Sequence, residues 1–465
     1  MVRKTPIVYL IQTHCLLTSK KKDVIIFYMF EAVIFGTITG TIAGLVPGVG
    51  IMISLMIVYP LVEPMSLTNL ILFYISLAST TQYMGSVSAI YFAIPGEMSS
   101  VPAVKEGYKM SRKGLGQLAI SSTAIGSIIG AAMAVLFTFL FAEFLLDVLK
   151  LTFRNNVKMV LYAIIIGVLL FSFNKNNRKI NFLLLALGFM FTLPGTAPDG
   201  FTTRLSFGIK DLEYGIPFFP VVVGALVLPT LVNNQQPKPM ITKVVELPLI
   251  KHILIIPKYL KTIFRSSFIG YFCGFVPGLT TILATNTAYN VEKVVCNRTL
   301  NRIVAAETSN NSAQFTSFIP LLLLGIPITG SEAIIYNMAL NKNFTSEFWL
   351  EGGGVYDLLT LIGPYFLLTN LLAFGLAWPL SKYVAKLATV PSHYINITVL
   401  IVCFIVSGYV GGQDLRTLSY LTYTLFFCII GYGIRKYDTL PFVFMFLLGK
   451  EIEYQSYIFY QLYLQ

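Results

Sequence analysis

The chain has 465 residues, of which 55% are hydrophobic and only 12% are charged, and its mean hydropathy is +0.74. A soluble globular chain carries roughly 25% charged residues, so this composition excludes a soluble protein and indicates an integral membrane protein. The net charge of +12 comes from lysines and arginines in short connections, where basic residues orient membrane proteins. It therefore does not indicate nucleic acid as a partner.

Long apolar runs predict helices that cross the membrane. In chain order they include "ISSTAIGSIIGAAMAVLFTFLFAEFLL" from Ile120, "MVLYAIIIGVLLFSF" from Met159 and "INITVLIVCFIVSGYVGG" from Ile395. These runs approach or exceed the roughly 20 apolar residues that cross a bilayer, and about 10 to 12 such segments fit in the chain. The alternating pattern of a membrane β-barrel is absent. The predicted fold class is therefore an all-α polytopic membrane protein.

Composition divides the chain into four predicted segments. Residues 1–23 form a basic N-terminal extension, because a run of three lysines precedes the first apolar segment. Residues 24–232 form a first half, and residues 265–465 form a second half. Between them, residues 233–264 include "NNQQPKPMITKVVELPLIKH", whose prolines and lysines predict a linker. The amphipathic stretch "LPLIKHILIIPKYLKTIF" from Leu247 predicts a segment along the membrane interface.

Two pairs of similar segments indicate that the chain is a duplicated unit. "GTIAGLVPGVG" from Gly40 reappears as "GYFCGFVPGLT" from Gly270, with glycines and a proline at matching positions. "TTQYMGSVSAIYFAIPG" aligns with "SAQFTSFIPLLLLGIPI", which places Gln82 over Gln314. We therefore expect two repeated halves related by a pseudo-two-fold axis in the membrane plane, as in transporters built from inverted repeats.

Each repeat carries two breaks in otherwise apolar sequence. Proline removes a backbone donor and glycine admits unusual dihedral angles, so a helix should stop or kink at each break. A structural kink would explain one break, whereas matched breaks in two halves indicate the re-entrant helices and substrate site of a secondary transporter, where helix N-termini suit anions. The predicted substrate-binding residues at the breaks are Gly44, Pro47, Gly48, Pro95, Gly96, Gly274, Pro277, Gly278 and Pro327.

Polar residues cluster before the second break of the second half, in "AAETSNNSAQFTS". Ionisable residues inside a membrane usually mark an ion or substrate pathway, so Glu307 is the predicted ion-coupling residue; a position in a solvated loop end is the alternative. Amide side chains can hydrogen-bond a carboxylate, which makes Asn310, Asn311 and Gln314 predicted substrate-binding residues. Gln82 and Ser86 are their predicted counterparts in the first half.

No motif predicts an enzyme, a cofactor or a metal site. The three histidines are isolated, no H-E-x-x-H or Walker-type loop occurs, and the five cysteines lack metal-binding spacing. A transporter of this kind would draw on a gradient of Na⁺ or H⁺, which the sequence does not distinguish. A passive channel is the main rival, although broken helices duplicated within one chain favour alternating access.

Taken in order, these motifs resemble the large membrane subunit of the tripartite tricarboxylate transporters. The resemblance runs from about Gly36 to Glu453 and includes "GLVPGVG", "QYMGSVSAIYFAIPG", "VKEGYKMSRKG", "RLSFGIKDLEYGIPFFPVVVGAL", "FVPGLT", "AAETSNNSAQFTSFIPLLLLGIP" and "LPFVFMFLLGKEIE". The chain departs from the family pattern at Ile328, where a glycine is usual, and at Glu106, where an aspartate is usual.

The resemblance implies cation-driven secondary uptake of small carboxylates across the bacterial inner membrane, by a multi-pass subunit in contact with lipid. It also implies two protein partners, a small membrane subunit and a periplasmic solute-binding protein. The alternative is a channel or transporter that carries another small anion without partners. The family's site motifs fall on Glu307, Asn310, Asn311, Pro47, Gly48, Pro277 and Gly278.

Overall fold

The structure is a computed structural model that describes residues 19–46, 49–92, 97–152, 155–172, 177–233, 256–276, 280–296, 298–342, 344, 355–387, 392–411 and 415–463. The helices of its first half are α1 (Ser19–Leu45), α2 (Gly50–Val62), α3 (Leu67–Phe92), α4 (Val101–Arg112), α5 (Gly116–Leu140), α6 (Ala142–Thr152), α7 (Asn155–Ser172), α8 (Arg178–Met190), α9 (Lys210–Glu213), α10 (Phe218–Val222) and α11 (Leu228–Asn233). A 3₁₀ turn (Met98–Ser100) precedes α4, and a π-helical turn (Val223–Val227) joins α10 to α11.

The described helices continue from the second 3₁₀ turn (Ile256–Tyr259) onward. They are α12 (Leu260–Cys273), α13 (Thr280–Val295), α14 (Thr299–Ile319), α15 (Gly330–Leu340), α16 (Val355–Leu387), α17 (Ser392–Gly411), α18 (Leu415–Ile434) and α19 (Leu440–Tyr463). A π-helical turn (Pro320–Leu324) extends α14. The described strands, β1 (Gly195–Thr196) and β2 (Thr203–Arg204), form one short antiparallel ribbon.

Four of the described helices are long and apolar enough to cross a membrane: Phe27–Leu45, Gly116–Leu140, Val355–Ala377 and Arg416–Ile434. Shorter apolar helices accompany them, among them Gly50–Val62 and Asn396–Gly411. The prediction of an all-α membrane protein with several spans is confirmed at this level. The predicted total of about 10 to 12 spans stays a prediction.

Two helices, α3 and α14, form the centre of the fold. Every residue from Leu70 to Tyr91 and every residue from Ile303 to Ile319 is buried. Helix α1 packs along α3, while α5, α12 and α13 pack around α14. By contrast, one face of α1 exposes apolar side chains at helical spacing: Phe27, Phe30, Ile34, Ile38 and Ile42. Such a face suits contact with lipid.

Glycines allow the outer helices to approach the two central helices closely. A β-carbon placed on Gly44 of α1 would lie 2.5 Å from the carbonyl oxygen of Thr81 on α3. One placed on Gly274, directly after α12, would lie 2.6 Å from the carbonyl oxygen of Ala313 on α14. Both distances are too short for a real side chain, so these glycines are required for packing, as in other membrane helix pairs.

Replacing Gly274 by valine should lower the thermal stability of the protein. Two added methyl groups and a β-carbon would force α12 away from α14, and overpacking of this kind costs about 1–3 kcal/mol. Gly433 supplies a matched control, because a β-carbon placed there on α18 would meet no neighbouring side chain or helix within 4 Å. The melting temperature of the purified chain in detergent should fall for Gly274→Val and stay near that of the unmodified chain for Gly433→Val. Equal melting temperatures would contradict the tight approach.

Candidate functional site

Helices α3 and α14 cross in opposite directions at the centre of the protein. The Tyr74 and Phe318 rings lie 5.7 Å apart between centroids, and Gln82 Nε2 donates to Gln314 Oε1 over 3.2 Å. Further along α3, Ser86 Oγ donates to Glu307 Oε1. Residue numbers therefore rise along α3 while they fall along α14, so the two helices are antiparallel. From residue 74 to residue 86 the contact is about 18 Å long at 1.5 Å per residue.

The facing sides of these helices are polar although they are buried. Gln82 accepts from the Ser99 hydroxyl through Oε1 and donates to Gln314, whose Nε2 lies 3.4 Å from Ser317 Oγ. Ser86 also contacts Ser100 Oγ at 3.4 Å. Three of the predicted site residues therefore have hydrogen bonds in this contact, Gln82 and Gln314 with each other and Ser86 with Glu307. A buried polar side chain costs free energy unless it has a hydrogen-bond partner. Because these side chains meet their partners in only one arrangement of the helices, they favour that arrangement.

Glu307 and its neighbours on α14 carry polar atoms without partners. Glu307 is fully buried, and its Oε2 makes no hydrogen bond to any described residue. The side-chain amides of Asn310 and Asn311 are also fully buried, and neither makes a hydrogen bond of normal length to a described residue, although the Asn310 side chain lies beside Glu307. The Thr308 hydroxyl is also buried and has no hydrogen-bond partner among the described residues. A cluster of unsatisfied groups at this depth is suited to bind a polar ligand or an ion.

The helix bounds agree with the interruptions predicted from the sequence. Helix α1 ends at Leu45 and α2 begins at Gly50, and in the second half α12 ends at Cys273 and α13 begins at Thr280. Helix α3 ends at Phe92, shortly before the second predicted break. The predicted residues Pro47, Gly48, Pro95, Gly96, Pro277 and Gly278 lie outside the described residues. Gly44 and Gly274 are described, and both make the close helix contacts given above.

The fourth break lies between α14 and α15 and contains Pro327. Gly325 adopts a left-handed conformation with φ +66, which ends the π-helical turn. The break then leads to Thr329, the N-cap of α15. Here Glu332 Oε2 accepts from the backbone N–H groups of Ile328 at 2.8 Å and Thr329 at 3.0 Å. The N–H groups that precede α15 are thus already bound by a carboxylate of the chain itself.

Sequence reasoning missed Glu332, although a local signal was present. "TGSE" from Thr329 is the S/T-x-x-E pattern of a capping box, and it precedes the apolar run "AIIYNMAL". The structure contains the complete capping box. Sequence reasoning also missed Glu97, whose Oε1 accepts from the backbone N–H of Ile51 in the first turn of α2 at 2.8 Å. Both carboxylates therefore bind N–H groups at helix N-termini beside predicted breaks.

Other buried acids have basic partners and connect helices around the centre. Glu106 on α4 accepts from Arg302 on α14 at 2.8 Å and from the Tyr289 hydroxyl on α13 at 3.0 Å. Glu292 on α13 pairs with Arg265 on α12. Among the described residues, no lysine, arginine or histidine lies within 4.0 Å of a carboxylate oxygen of Glu307 or Glu332. The paired acids serve packing, whereas the two unpaired acids are available to a cation or a proton.

A cavity of about 460 Å³ opens between α15, α18, α19 and the chain from Phe191 to Phe218. Arg416 and Lys450 line it, together with Tyr162, Tyr214, Tyr336, Tyr420 and Tyr423.

The acids of this cavity have neutral partners. Asp211 accepts from Ser419 and Glu451 accepts from Gln455, and among the described residues neither acid forms an ion pair with Arg416 or Lys450. Gly325 borders the cavity, whereas Glu307, Asn310 and Asn311 do not. The cavity therefore reaches the fourth break but is separate from the polar cluster of α14.

The described part of the chain contains no group of three or more His, Cys, Asp or Glu residues that could hold a metal ion. Several apolar helices around a buried polar centre place the chain in the class of multi-pass membrane proteins. Residues 30–446 match the sequence model of the tripartite tricarboxylate transporter TctA family, so the chain belongs to this family. The resemblance seen in the sequence motifs is thereby confirmed. The chain is a component of a tripartite tricarboxylate transport system, which points to a transporter rather than an enzyme.

Curated relatives of the chain are similar to it over much of its length. An uncharacterized 52.8 kDa protein from the TAR-I ttuC′ 3′ region of Agrobacterium vitis is 26% identical over 390 residues, which cover 80% of this chain and 75% of the relative. An uncharacterized protein of Methanocaldococcus jannaschii is 22% identical over 291 residues, covering 61% of this chain and 66% of that protein. No solved structure matches the chain significantly.

Replacing Glu106 by glutamine should destabilise the protein, because Arg302 would lose the carboxylate that it pairs with between α14 and α4. Breaking a buried ion pair in this way costs about 3–5 kcal/mol. The double variant Glu106→Gln, Arg302→Met removes both charges and should recover most of the lost stability. Melting temperatures of the single and double variants in detergent measure both effects. A single variant as stable as the unmodified chain would show that the pair contributes little.

Proposed function

We propose that the chain is the permease of a binding-protein-dependent system that takes up small carboxylates at the expense of a cation gradient. The observation that carries this proposal is the cluster of buried, unpartnered polar atoms on α14. Amide nitrogens of Asn310 and Asn311 can donate to carboxylate oxygens without adding charge. Their burial would make such hydrogen bonds strong, because little water competes for them.

Glu307 has the properties of a coupling residue in this proposal. Its side chain lies on the same helix as the two asparagines, less than two turns away, and has no basic partner among the described residues. An ionised Glu307 would repel a carboxylate substrate, whereas a Glu307 that is protonated or bound to Na⁺ would not. Binding of the cation and binding of the substrate would therefore favour each other, as symport requires.

We also propose that the two halves, residues 24–232 and 265–465, form an inverted repeat. Gln82 and Gln314 are equivalent in the sequence alignment and are hydrogen-bonded to each other, as expected for residues near a two-fold axis. The same axis would place Tyr74 at the position of residue 306 and Phe318 at the position of Ser86. The Tyr74–Phe318 contact therefore predicts a contact between Ser86 and the region of residue 306, and Ser86 does contact Glu307. Because α3 and α14 are antiparallel, an axis between them is perpendicular to both. If they cross the membrane, that axis lies in the membrane plane.

The remaining parts of the proposal concern location and partners. The chain would lie in the bacterial inner membrane with the apolar face of α1 against lipid, and residues 233–264 would link the halves. A small membrane subunit and a periplasmic solute-binding protein would complete the system, as the family description implies. The interruptions after α1, α3, α12 and α14 would be re-entrant tips around the substrate. Arg416 and Lys450 would attract carboxylates into the cavity beside the fourth tip.

Transport assays with variants of α14 test the substrate and coupling roles. Asn310→Ala and Asn311→Ala should each raise KM for uptake about 10- to 100-fold, because a hydrogen bond to a charged group contributes about 1.5–3 kcal/mol. Glu307→Gln should retain binding but abolish the dependence of uptake on the driving cation. Ser309→Ala is the matched control, since the Ser309 hydroxyl donates to the Ala306 carbonyl of its own helix and to no other described residue.

The assay uses proteoliposomes with the partner proteins and a panel of labelled di- and tricarboxylates, including citrate, at varied sodium and proton concentrations. Unchanged cation dependence in Glu307→Gln would exclude the coupling role. Normal KM in both asparagine variants would place the substrate elsewhere. Full uptake by the chain without its partners would favour the partner-independent transporter.

Cysteine labelling tests the inverted repeat. Ser66 follows α2, and Cys296 follows α13, the helix that corresponds to α2 in the second half. Two variants, each with a single cysteine, are compared: one keeps only Cys296, and the other carries only Ser66→Cys. An impermeant maleimide should label them from opposite sides of the membrane in vesicles of known orientation. Labelling of both from the same side would support a repeat axis along the membrane normal and reject inversion.

A further inference from the structure

The capping role of Glu332 accounts for only one of its two carboxylate oxygens. Its Oε2 accepts two backbone N–H groups at the start of α15, as a capping-box glutamate does. Its Oε1 is buried and makes no hydrogen bond to any described residue. A capping role requires one oxygen, and a helix cap is usually near solvent, whereas Glu332 has 0% exposure. The second oxygen therefore faces a buried site that the cap does not account for.

Oxygen atoms suited to a monovalent cation lie around this carboxylate. The hydroxyls of Thr329 and Ser331 are 3.2 Å apart, and the Tyr74 hydroxyl is 3.0 Å from Ser331 Oγ. The Ser317 hydroxyl lies beside Glu332 as well. Hydroxyl and carboxylate oxygens are the ligands that hard cations prefer.

The charged and titratable groups around Glu332 do not neutralise it. Helix α15 packs against α2, α3 and α19. Of the groups on and near these helices, Tyr74 on α3 faces the site, where its hydroxyl contacts Ser331 Oγ, and Glu97 also lies near Tyr74. Glu451 on α19 lies instead near Tyr336, about one turn further along α15. A buried carboxylate without a basic partner is costly unless a proton or a bound cation neutralises it.

Glu332 lies at the opposite end of the α3–α14 contact from Glu307. Ser86 and Glu307 are at one end, and Tyr74 and Ser331 are at the other. Between them, the hydrogen-bonded pair of Gln82 and Gln314 lies in the middle of the contact. Amide groups do not ionise, so this pair separates the two carboxylates into two sites rather than joining them into one titrating unit.

We propose that Glu332, with the hydroxyls of Tyr74, Ser317, Thr329 and Ser331, is a second monovalent-cation site, distinct from the one at Glu307. Each carboxylate holds its own Na⁺ or proton, so the chain binds two cations. The site deepens the proposed function, because two bound cations would be available to drive the uptake of one multiply charged carboxylate.

The test measures cation binding to the purified full-length chain without any carboxylate present. Glu332→Gln is the central variant, because glutamine can still accept the backbone N–H groups of the capping box but carries no charge. Glu143→Gln, which changes an exposed glutamate on α6, is the matched control. Glu307→Gln reports on the first site.

One arm counts ²²Na⁺ ions bound at equilibrium, with choline replacing sodium at constant ionic strength. The other arm follows the melting temperature against pH in choline alone. If Na⁺ is the ligand, the chain should bind about two ions and Glu332→Gln about one. If protons are the ligand, stability should fall as pH rises, because deprotonation leaves buried charge, and this fall should shrink in Glu332→Gln.

Behaviour of Glu332→Gln identical to that of Glu143→Gln in both arms would overturn the proposal. If Glu332→Gln does not fold, Tyr74→Phe and Ser331→Ala decide instead: a change of about tenfold in Na⁺ affinity or a shifted pH midpoint supports the site, and no change in either variant overturns it. Because no carboxylate is used, a loss of cation binding in Glu332→Gln would stand even if uptake assays rejected the proposed function. A loss in Glu307→Gln alone would leave Glu307 as the single cation site.

Discussion

The contact between α3 and α14 is the constraint on which the rest of the structure depends. Two helices that are buried along most of their length face each other with glutamines, serines and a glutamate. Polar groups at such depth are tolerated only when their partners are well placed. The surrounding helices must therefore hold α3 and α14 in one register. Gly44 in α1 and Gly274 directly after α12 make this possible, because they allow close backbone contact with the central helices.

The distribution of buried acids follows from this arrangement. Glu106 and Glu292 lie where α4, α12 and α13 meet α14, and each is neutralised by an arginine. A buried ion pair adds little net stability, but it specifies which helices meet. Glu307 and Glu332 lie on the central contact and beside its end, without a basic partner among the described residues. The outer acids are thus neutralised by fixed arginines. In the proposed sites, exchangeable cations neutralise Glu307 and Glu332.

The N-termini of α2 and α15 are not simple anion sites. Glu97 binds an N–H group at the start of α2, and Glu332 binds two ahead of α15. A substrate carboxylate that approached either terminus would compete with a carboxylate already present. The Asn311 amide has no carboxylate beside it in the described residues, and the Asn310 amide lies beside Glu307 without a hydrogen bond of normal length, which favours these amides as the substrate contacts.

The sequence alone determined the features that depend on local chemistry. Apolar length and low charge predicted membrane helices, and proline with glycine predicted the helix ends near Leu45 and Cys273, because these effects act within a few residues. Matching segments predicted that Gln82 and Gln314 are equivalent.

Only the tertiary structure decided that these two glutamines touch, that Ser86 binds Glu307, and that the carboxylate of Glu332 has an unpartnered oxygen. The partners in the first two contacts are 232 and 221 residues apart in the chain. Such contacts depend on how helices pack against each other, and no local pattern encodes which side chains meet across that distance.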